Sequence, residues 1–510
     1  MAFNESKIGA FAGPALSVIG LVVAWLNPET WIAVVFGWIA AIGISIALST
    51  SKKGYLSFYL GAVVTHIFAF HWLFSTIKDF GGFPSIAAGG VFLFFCAISA
   101  LQFPIALFIK RRLPSFFNKA ALAIPVAWIL AEFIAVRIFP WNLGHTQLKF
   151  TLFAQVAAIV GDWTIGFLMV WLAAAIIKGA VEGARYRYVL APLIVILISF
   201  GYGGYQISYI RSISGPLQKV ALIQGDVSIE DKHNMKLLVT NRNRYEDLTL
   251  QTLGENVLIV WPESVIQEFI PTRIGSALHD ERVPYWQGSF SSLLIGGLTA
   301  ESRTRYFNSA LAVFRDGTVP LPYHKRILMP YGEYTPFGDL FPFIKEINAT
   351  AADFTPGEKT VVFEYPLDGA GEERLKVAPL ICYEDIVPNL SREAARNGAE
   401  VLASLSNDAW FGRSIAPRQH HIIAAFRAIE TKRYLLRATN SGLTAIVNPL
   451  GETTGELPSF SEGVLRGEVI PLSVQTPVMW LGDSVRWILL IFSVLCIALR
   501  APFRWLAARV

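Results

Sequence analysis

Seven apolar runs, each close to the ~20 residues a helix needs to cross a bilayer, crowd into the first 206 residues. They fall at 8–26, 31–48, 55–77, 86–109, 120–136, 152–177 and 188–205, and an eighth lies at 485–499. Backbone polar groups in lipid must be satisfied within their own segment, so such runs are expected as helices. Hydrophobic residues make up 53% of the 510-residue chain and charged residues only 16%, which also excludes an ordinary soluble protein. The expectation is a polytopic α-helical membrane domain of about eight transmembrane helices. Only Lys7 precedes the first run as a basic residue, with no convincing cleavage site, so that run is expected to stay as an anchor.

The loops orient the runs. Lys52 and Lys53 follow the second run; Lys110, Arg111, Arg112 and Lys119 follow the fourth; Lys178, Arg185 and Arg187 follow the sixth; Arg500, Arg504 and Arg509 follow the last. The alternate loops are poorer in basic residues, although the one after the fifth run carries Arg137 and Lys149. The positive-inside rule places both termini in the cytoplasm and the long segment after the seventh run on the far side. The net charge of +5 therefore reads as a topology signal and not as a nucleic-acid surface. Glu132 and Asp162 fall inside apolar runs, where acids are functional candidates by default. A local structural pair, with Arg137 near Glu132, is the plainer reading.

The intervening segment is polar, and short β-branched runs alternate with amphipathic stretches. Strands are expected at 220–224, 257–261, 293–298, 310–314, 377–382, 401–405, 443–447 and 464–469. Helices are expected at 232–252, 390–397 and 417–433, the last with Ile422, Ala425, Phe426 and Ile429 at helical spacing. The domains are then 1–206, 207–478 and 479–510. Strands mixed with helices argue for a layered α/β domain.

Three stretches of this domain place reactive groups beside strand ends: Trp261-Pro262-Glu263, Tyr323-His324-Lys325 and Leu380-Ile381-Cys382. Singly, each has a plain explanation. A free cysteine more often packs as a small hydrophobe, and a strand-end acid is usually solvated. Together they supply a base, a cation and a nucleophile, and a thiol needs such neighbours to react. Cys382 is the only one of three cysteines outside an apolar run, so no disulfide framework exists. No cluster has metal-ligand spacing.

These stretches, with Pro330-Tyr-Gly-Glu-Tyr334 and Cys382-Tyr383-Glu384, resemble the Glu-Lys-Cys signature of the nitrilase (carbon–nitrogen hydrolase) superfamily. Leu405-Ser-Asn-Asp-Ala-Trp-Phe-Gly412, Ala416-Pro-Arg-Gln-His420, Arg427-Ala-Ile-Glu430, Arg437-Ala-Thr-Asn-Ser-Gly442 and Phe139-Pro-Trp141 narrow the resemblance to the apolipoprotein N-acyltransferase family. The resemblance implies a nitrilase-like αββα sandwich on the periplasmic side of a bacterial inner membrane. It implies acyl transfer from a phospholipid, through a cysteine thioester, to the α-amine of a diacylglyceryl-modified apolipoprotein, with no cofactor. Glu263 is then the general base, Cys382 the nucleophile and Lys325 the oxyanion stabiliser. Glu333, Tyr383 and Glu384 match supporting residues.

Two departures stand out: His233 falls where the family commonly has tryptophan, and Arg433-Tyr-Leu-Leu-Arg437 lacks a proline. The rival readings are a membrane-tethered amidase using water as acceptor and a transporter with an accessory outer domain. The loop 329–344 is rich in aromatic residues and broken by Pro330, Pro336 and Pro342. It is expected either to fold on the domain's own core or to lie at the membrane as a substrate gate, with Tyr334, Phe337 and Phe341 as its aromatic face.

Overall fold

The computed structural model describes residues 7–49, 54–183, 185–252, 256–289, 291–336, 338, 340–341, 353–366 and 374–498. The chain divides into two compact units, Met1–Arg211 with Thr476–Val510, and Ser212–Gln475.

The first unit is helical. Among the described residues, four helices are long and apolar enough to cross a membrane: Trp31–Ser49, Ser85–Arg112, Trp163–Glu182 and Tyr186–Ser212. Tyr55–Ala69 and Trp72–Asp79 make a fifth span if the 64° bend between them lies within one crossing. Phe11–Leu26, Ala123–Ile134, Thr151–Val160 and Ser484–Ala498 are apolar but shorter. The chain is thus a membrane protein with four to five candidate spans by length, fewer than the eight apolar runs suggest. Apolar runs do not encode helix length. The run 120–136 yields only the 12-residue helix Ala123–Ile134, because Ala135 turns extended. Twelve residues rise ~18 Å, short of the ~30 Å hydrocarbon core. The run 152–177 is divided at Gly161, whose φ of 112° only glycine adopts freely.

Of the two acids inside apolar runs, Asp162 is tied through its side chain and Glu132 through its main chain. Asp162 meets His145 Nε2 at 3.0 Å, while His145 Nδ1 accepts the backbone N–H of Asn142 at 3.0 Å. Arg137 donates to the main-chain carbonyl of Glu132 at 2.6 Å and to that of Trp141. It thereby satisfies an end carbonyl of the helix Ala123–Ile134, which differs from a carboxylate–guanidinium pair.

The second unit holds fifteen strands among its described residues: β1 (Gln218–Gln224), β2 (Val257–Val260), β3 (Ile266–Pro271), β4 (Gly275–Ser276), β5 (Ser292–Ser302), β6 (Arg305–Val313), β7 (Thr318–Val319), β8 (Tyr323–His324), β9 (Phe363–Pro366), β10 (Arg374–Ile381), β11 (Val401–Ser406), β12 (Tyr434–Thr439), β13 (Ala445–Val447), β14 (Thr453–Glu456) and β15 (Gly463–Val469). One sheet runs β15-β1-β2-β5-β6-β8, with β3 beside β5; the other runs β14-β13-β12-β11-β10-β9; β4 and β7 pair apart. Strand alternation sets the layers. Val220 and Leu222 of β1 join Val377, Ile381, Ala403, Leu405 and Leu436 in one core between the sheets. Ala221 and Ile223 face the other way, into a core with Tyr245 and Leu248 of the helix Leu238–Leu250. The helices Pro388–Arg396 and Ala416–Thr431 lie against the second sheet. The order is helix, sheet, sheet, helix, the αββα arrangement.

The expected helix at 232–252 is instead two, Ile229–Lys232 and Leu238–Leu250, separated by a short 3-10 turn. Asn234 interrupts it by accepting the Lys236 N–H at 3.1 Å, an Asx-type bond that competes with helix continuation.

Candidate active site

Glu263, Lys325 and Cys382 all sit just past strand ends, after β2, β8 and β10. Glu263 is reached through Trp261, fully buried with its indole N–H on Thr249 at 2.9 Å. Its chain passes so close to β5 that a Cβ on Gly296 would stand 2.2 Å from the Pro262 carbonyl, so that position requires glycine. Cys382 has φ +51° and opens a helical turn, Cys382–Ile386. A non-glycine residue in this region costs about 1–2 kcal/mol. Such strain persists only where the surroundings over-determine the conformation.

Glu384 provides that restraint. Fully buried, it accepts the Ile381 N–H (2.8 Å) and Tyr323 hydroxyl (2.8 Å) on one oxygen. The other accepts the Arg326 (2.6 Å) and Ile327 (3.1 Å) N–H groups. One carboxylate thus fixes the turn carrying the thiol to the segment carrying Lys325.

Lys325 Nζ lies between two acids, 3.0 Å from Glu263 Oε1 and 2.8 Å from Glu333 Oε2. Asn308 Nδ2 bridges the same pair, 2.8 Å from each acid's Oε1. Burial pushes the Glu263 carboxyl up, but Lys325, Lys232 and Asn308 outweigh it and hold the group below the usual carboxylate range. Burial likewise disfavours the Lys325 ammonium, and Glu263, Glu333 and Cys382 more than restore it. Burial, then Glu263, push the Cys382 thiol well up, against the pull of Lys325. The resting state is therefore a neutral thiol beside an ionised base and a fixed cation.

The structure thus brings Glu263, Lys325, Glu333 and Cys382 within electrostatic reach of one another. Tyr383 is half-buried next to the thiol. Glu333 Oε2 also accepts the Met329 N–H at 2.8 Å, tying the aromatic loop to the lysine. In that loop Tyr334 is half-buried and Phe341 exposed; Phe337 lies outside the described residues. His233 is exposed, its ring 5.5 Å from that of Trp410.

Two neighbours escape a sequence reading. Asn308 lies in β6, which begins five residues before the expected strand; a polar Asn-Ser pair inside a buried strand was the available signal. Lys232 donates to the Glu263 carbonyl at 3.1 Å. Burial lowers its ammonium to about 8, opposed by Glu263 and Cys382. As one basic residue in a polar stretch, it carried no signal.

A layered α/β unit with an acid, a lysine and a thiol at adjoining strand ends is a nitrilase-type domain, and residues 219–476 match the carbon–nitrogen hydrolase family. Residues 19–175 match the apolipoprotein N-acyltransferase N-terminal domain. The chain is 30% identical over 461 residues to the apolipoprotein N-acyltransferase of Geobacter metallireducens, covering 87% of this chain and 85% of that one. It is 33% identical over 452 residues to that of Vibrio vulnificus, covering 84% of each. The chain belongs to the apolipoprotein N-acyltransferase family. Among solved structures, Saccharomyces cerevisiae Nit3, a member of branch 10 of the nitrilase superfamily, aligns over 54% of this chain and 97% of its own at 19% identity and a TM-score of 0.37.

Proposed function

We propose that this protein N-acylates apolipoproteins, taking a fatty acyl chain from a phospholipid through a thioester on Cys382 and passing it to the α-amine of an N-terminal diacylglyceryl-cysteine. The observation that carries the reading is the buried Glu263–Lys325–Glu333–Asn308 cluster set against the Cys382 thiol, in a chain that also carries membrane-spanning helices. Glu263 takes the thiol proton as sulfur adds to the ester carbonyl, and Lys325 balances the oxyanion. The tetrahedral intermediate collapses to the thioester, Glu263 gives its proton to the leaving oxygen, and the lysophospholipid departs as an alcohol, leaving Glu263 ionised. The acceptor amine then adds to the thioester, gives its proton to Glu263, and the sulfur leaves and recovers it.

The loop around Tyr334 and Phe341 forms the surface over which acyl chains enter, and Glu333 couples its position to Lys325.

Intact mass tests the reaction. Protein incubated with a defined phospholipid should gain one acyl mass, and a diacylglyceryl lipopeptide should discharge it with appearance of N-acylated peptide. Discharge as free fatty acid, unchanged by lipopeptide, overturns transfer in favour of hydrolysis.

The loop charges support a periplasmic catalytic unit with both termini cytoplasmic. In intact spheroplasts and a Cys382→Ala background, a membrane-impermeant maleimide should label a cysteine placed at the exposed Ser302 and miss one at Ser115. The reverse pattern sinks the topology.

A further inference from the structure

Beneath the nucleophile lies a buried ionic chain that the reaction scheme does not use. β10 and β11 are parallel, with Ile381 opposite Leu405, so the next residues, Cys382 and Ser406, come side by side. The Ser406 side chain stands close enough to act on the cysteine sulfur, and its hydroxyl donates to Asp408 Oδ1 at 3.0 Å. The same oxygen lies 3.1 Å from His420 Nδ1, and His420 Nε2 lies 2.7 Å from Asp385 Oδ1. Asp385 Oδ2 accepts from Arg437 Nε (3.0 Å) and Ser404 Oγ (2.6 Å). Ser406, Asp408, Asp385 and Arg437 are wholly buried, and His420 is 2% exposed.

Carboxylates at both ring nitrogens only accept, so both nitrogens of His420 must donate and the ring is an imidazolium. The count then closes: Asp385 and Asp408 are balanced by His420 and Arg437. A neutral ring would leave one buried negative charge unpaired beside the sulfur, an expensive arrangement. Consistently, although burial opposes it, Asp385 and Asp408 raise His420 to about 9.

We propose that Ser406 is a positioning residue that turns its hydroxyl proton from Asp408 to the Cys382 sulfur as the thiolate forms, and that His420, held charged between Asp385 and Asp408, releases it to do so. With the thiol protonated, S–H faces the Ser406 oxygen and the serine proton rests on Asp408. When Glu263 takes the thiol proton, the hydroxyl rotates and donates to sulfur, while Asp408 keeps the His420 N–H. The serine keeps its O–H bond and only its hydrogen-bond acceptor changes, and the rotation reverses when the thiol is reprotonated. The charged groups acting on the thiol are Glu263, Lys325, Asp408, Lys232 and Arg437. Those facing His420 are Asp385 and Asp408, with Arg437 bound to the former.

The inference rests on Cys382 being the nucleophile, and the test reads the thiol itself, without lipid. The rate of Cys382 alkylation by iodoacetamide is measured against pH on the full chain in detergent. Ser406→Ala should shift the profile about one unit to higher pH, a ~10-fold lower rate on its rising limb. Ser406→Thr, which keeps the hydroxyl, should restore the parent profile. His420→Gln should shift it the same way as Ser406→Ala, because Asp408 loses its balancing charge. An unshifted profile in Ser406→Ala overturns the proposal, even if acyl transfer is slow. Independently of any variant, ¹⁵N-histidine spectra of the parent protein should keep one ring doubly protonated at pH 8; its absence overturns the charged relay. If the relay holds and acyl transfer from phospholipid fails, the fault lies with the proposed function and not with the relay.

Discussion

Cys382→Ala should abolish both acyl-enzyme formation and acyl transfer, with a loss on the order of 10⁶-fold, the scale measured when a covalent nucleophile is removed from a hydrolase. Among the described residues, no other group is placed to take over. The other cysteines lie in the helical unit, Cys96 fully buried and Cys496 in the helix Ser484–Ala498. Ser406, next to the cysteine across the strand pair, points its proton at a carboxylate and is wholly buried. Fold stability is the control. Alanine keeps the Cβ that makes φ +51° unfavourable, so the strain is unchanged and the Glu384 bonds that hold the turn do not involve the thiol. Thermal unfolding should therefore move little while the acyl mass gain disappears. Phospholipid-dependent transfer at the parent rate by this variant would end the thioester mechanism.

What a sequence can and cannot reveal follows from which forces act locally. β1, β2, β5, β10 and β11 are legible because buried sheet strands read as apolar runs. β12 is not, although it is central to the second sheet. Arg437 lies in its middle, and a buried guanidinium is acceptable there because of tertiary partners, Asp385 foremost. The thiol, base and lysine are legible because each stands at a strand end in a short motif. Asn308 and Lys232 are not, since what gives them a role is proximity to Glu263 across 45 and 31 positions. Span count fails for a related reason: hydrophobicity marks what lipid or core tolerates, while helix length is decided by local breaks such as Gly161 and Ala135.

Lys325→Ala should be more damaging than Glu263→Gln, although either removes one member of the same pair. Glu263→Gln deletes the base and leaves Lys325 held by Glu333 at 2.8 Å, so acyl-enzyme formation should slow ~100-fold or more, the usual worth of a positioned base. Lys325→Ala removes the oxyanion donor, worth ~10²–10³, and disturbs the base as well. After burial, Lys325 is the strongest influence on the Glu263 carboxyl. Without it, burial and the nearby Glu333, which shares the Asn308 amide, act against ionisation. The Glu263 pKa should rise, so its base form is lost at higher pH as pH falls, and the acid limb of the acylation profile should move upward. The combined loss should reach ~10⁴-fold. Stability should fall by about 3–5 kcal/mol, the cost of leaving buried charge without its partner. Lys325→Met with Glu333→Gln should recover much of that stability and none of the activity, because a matched removal repairs the charge balance without restoring an oxyanion donor. Single-turnover acylation against pH, with chemical unfolding alongside, separates these effects. If Lys325→Ala acylates as fast as Glu263→Gln with its acid limb unmoved, then Lys325 does not hold Glu263 ionised.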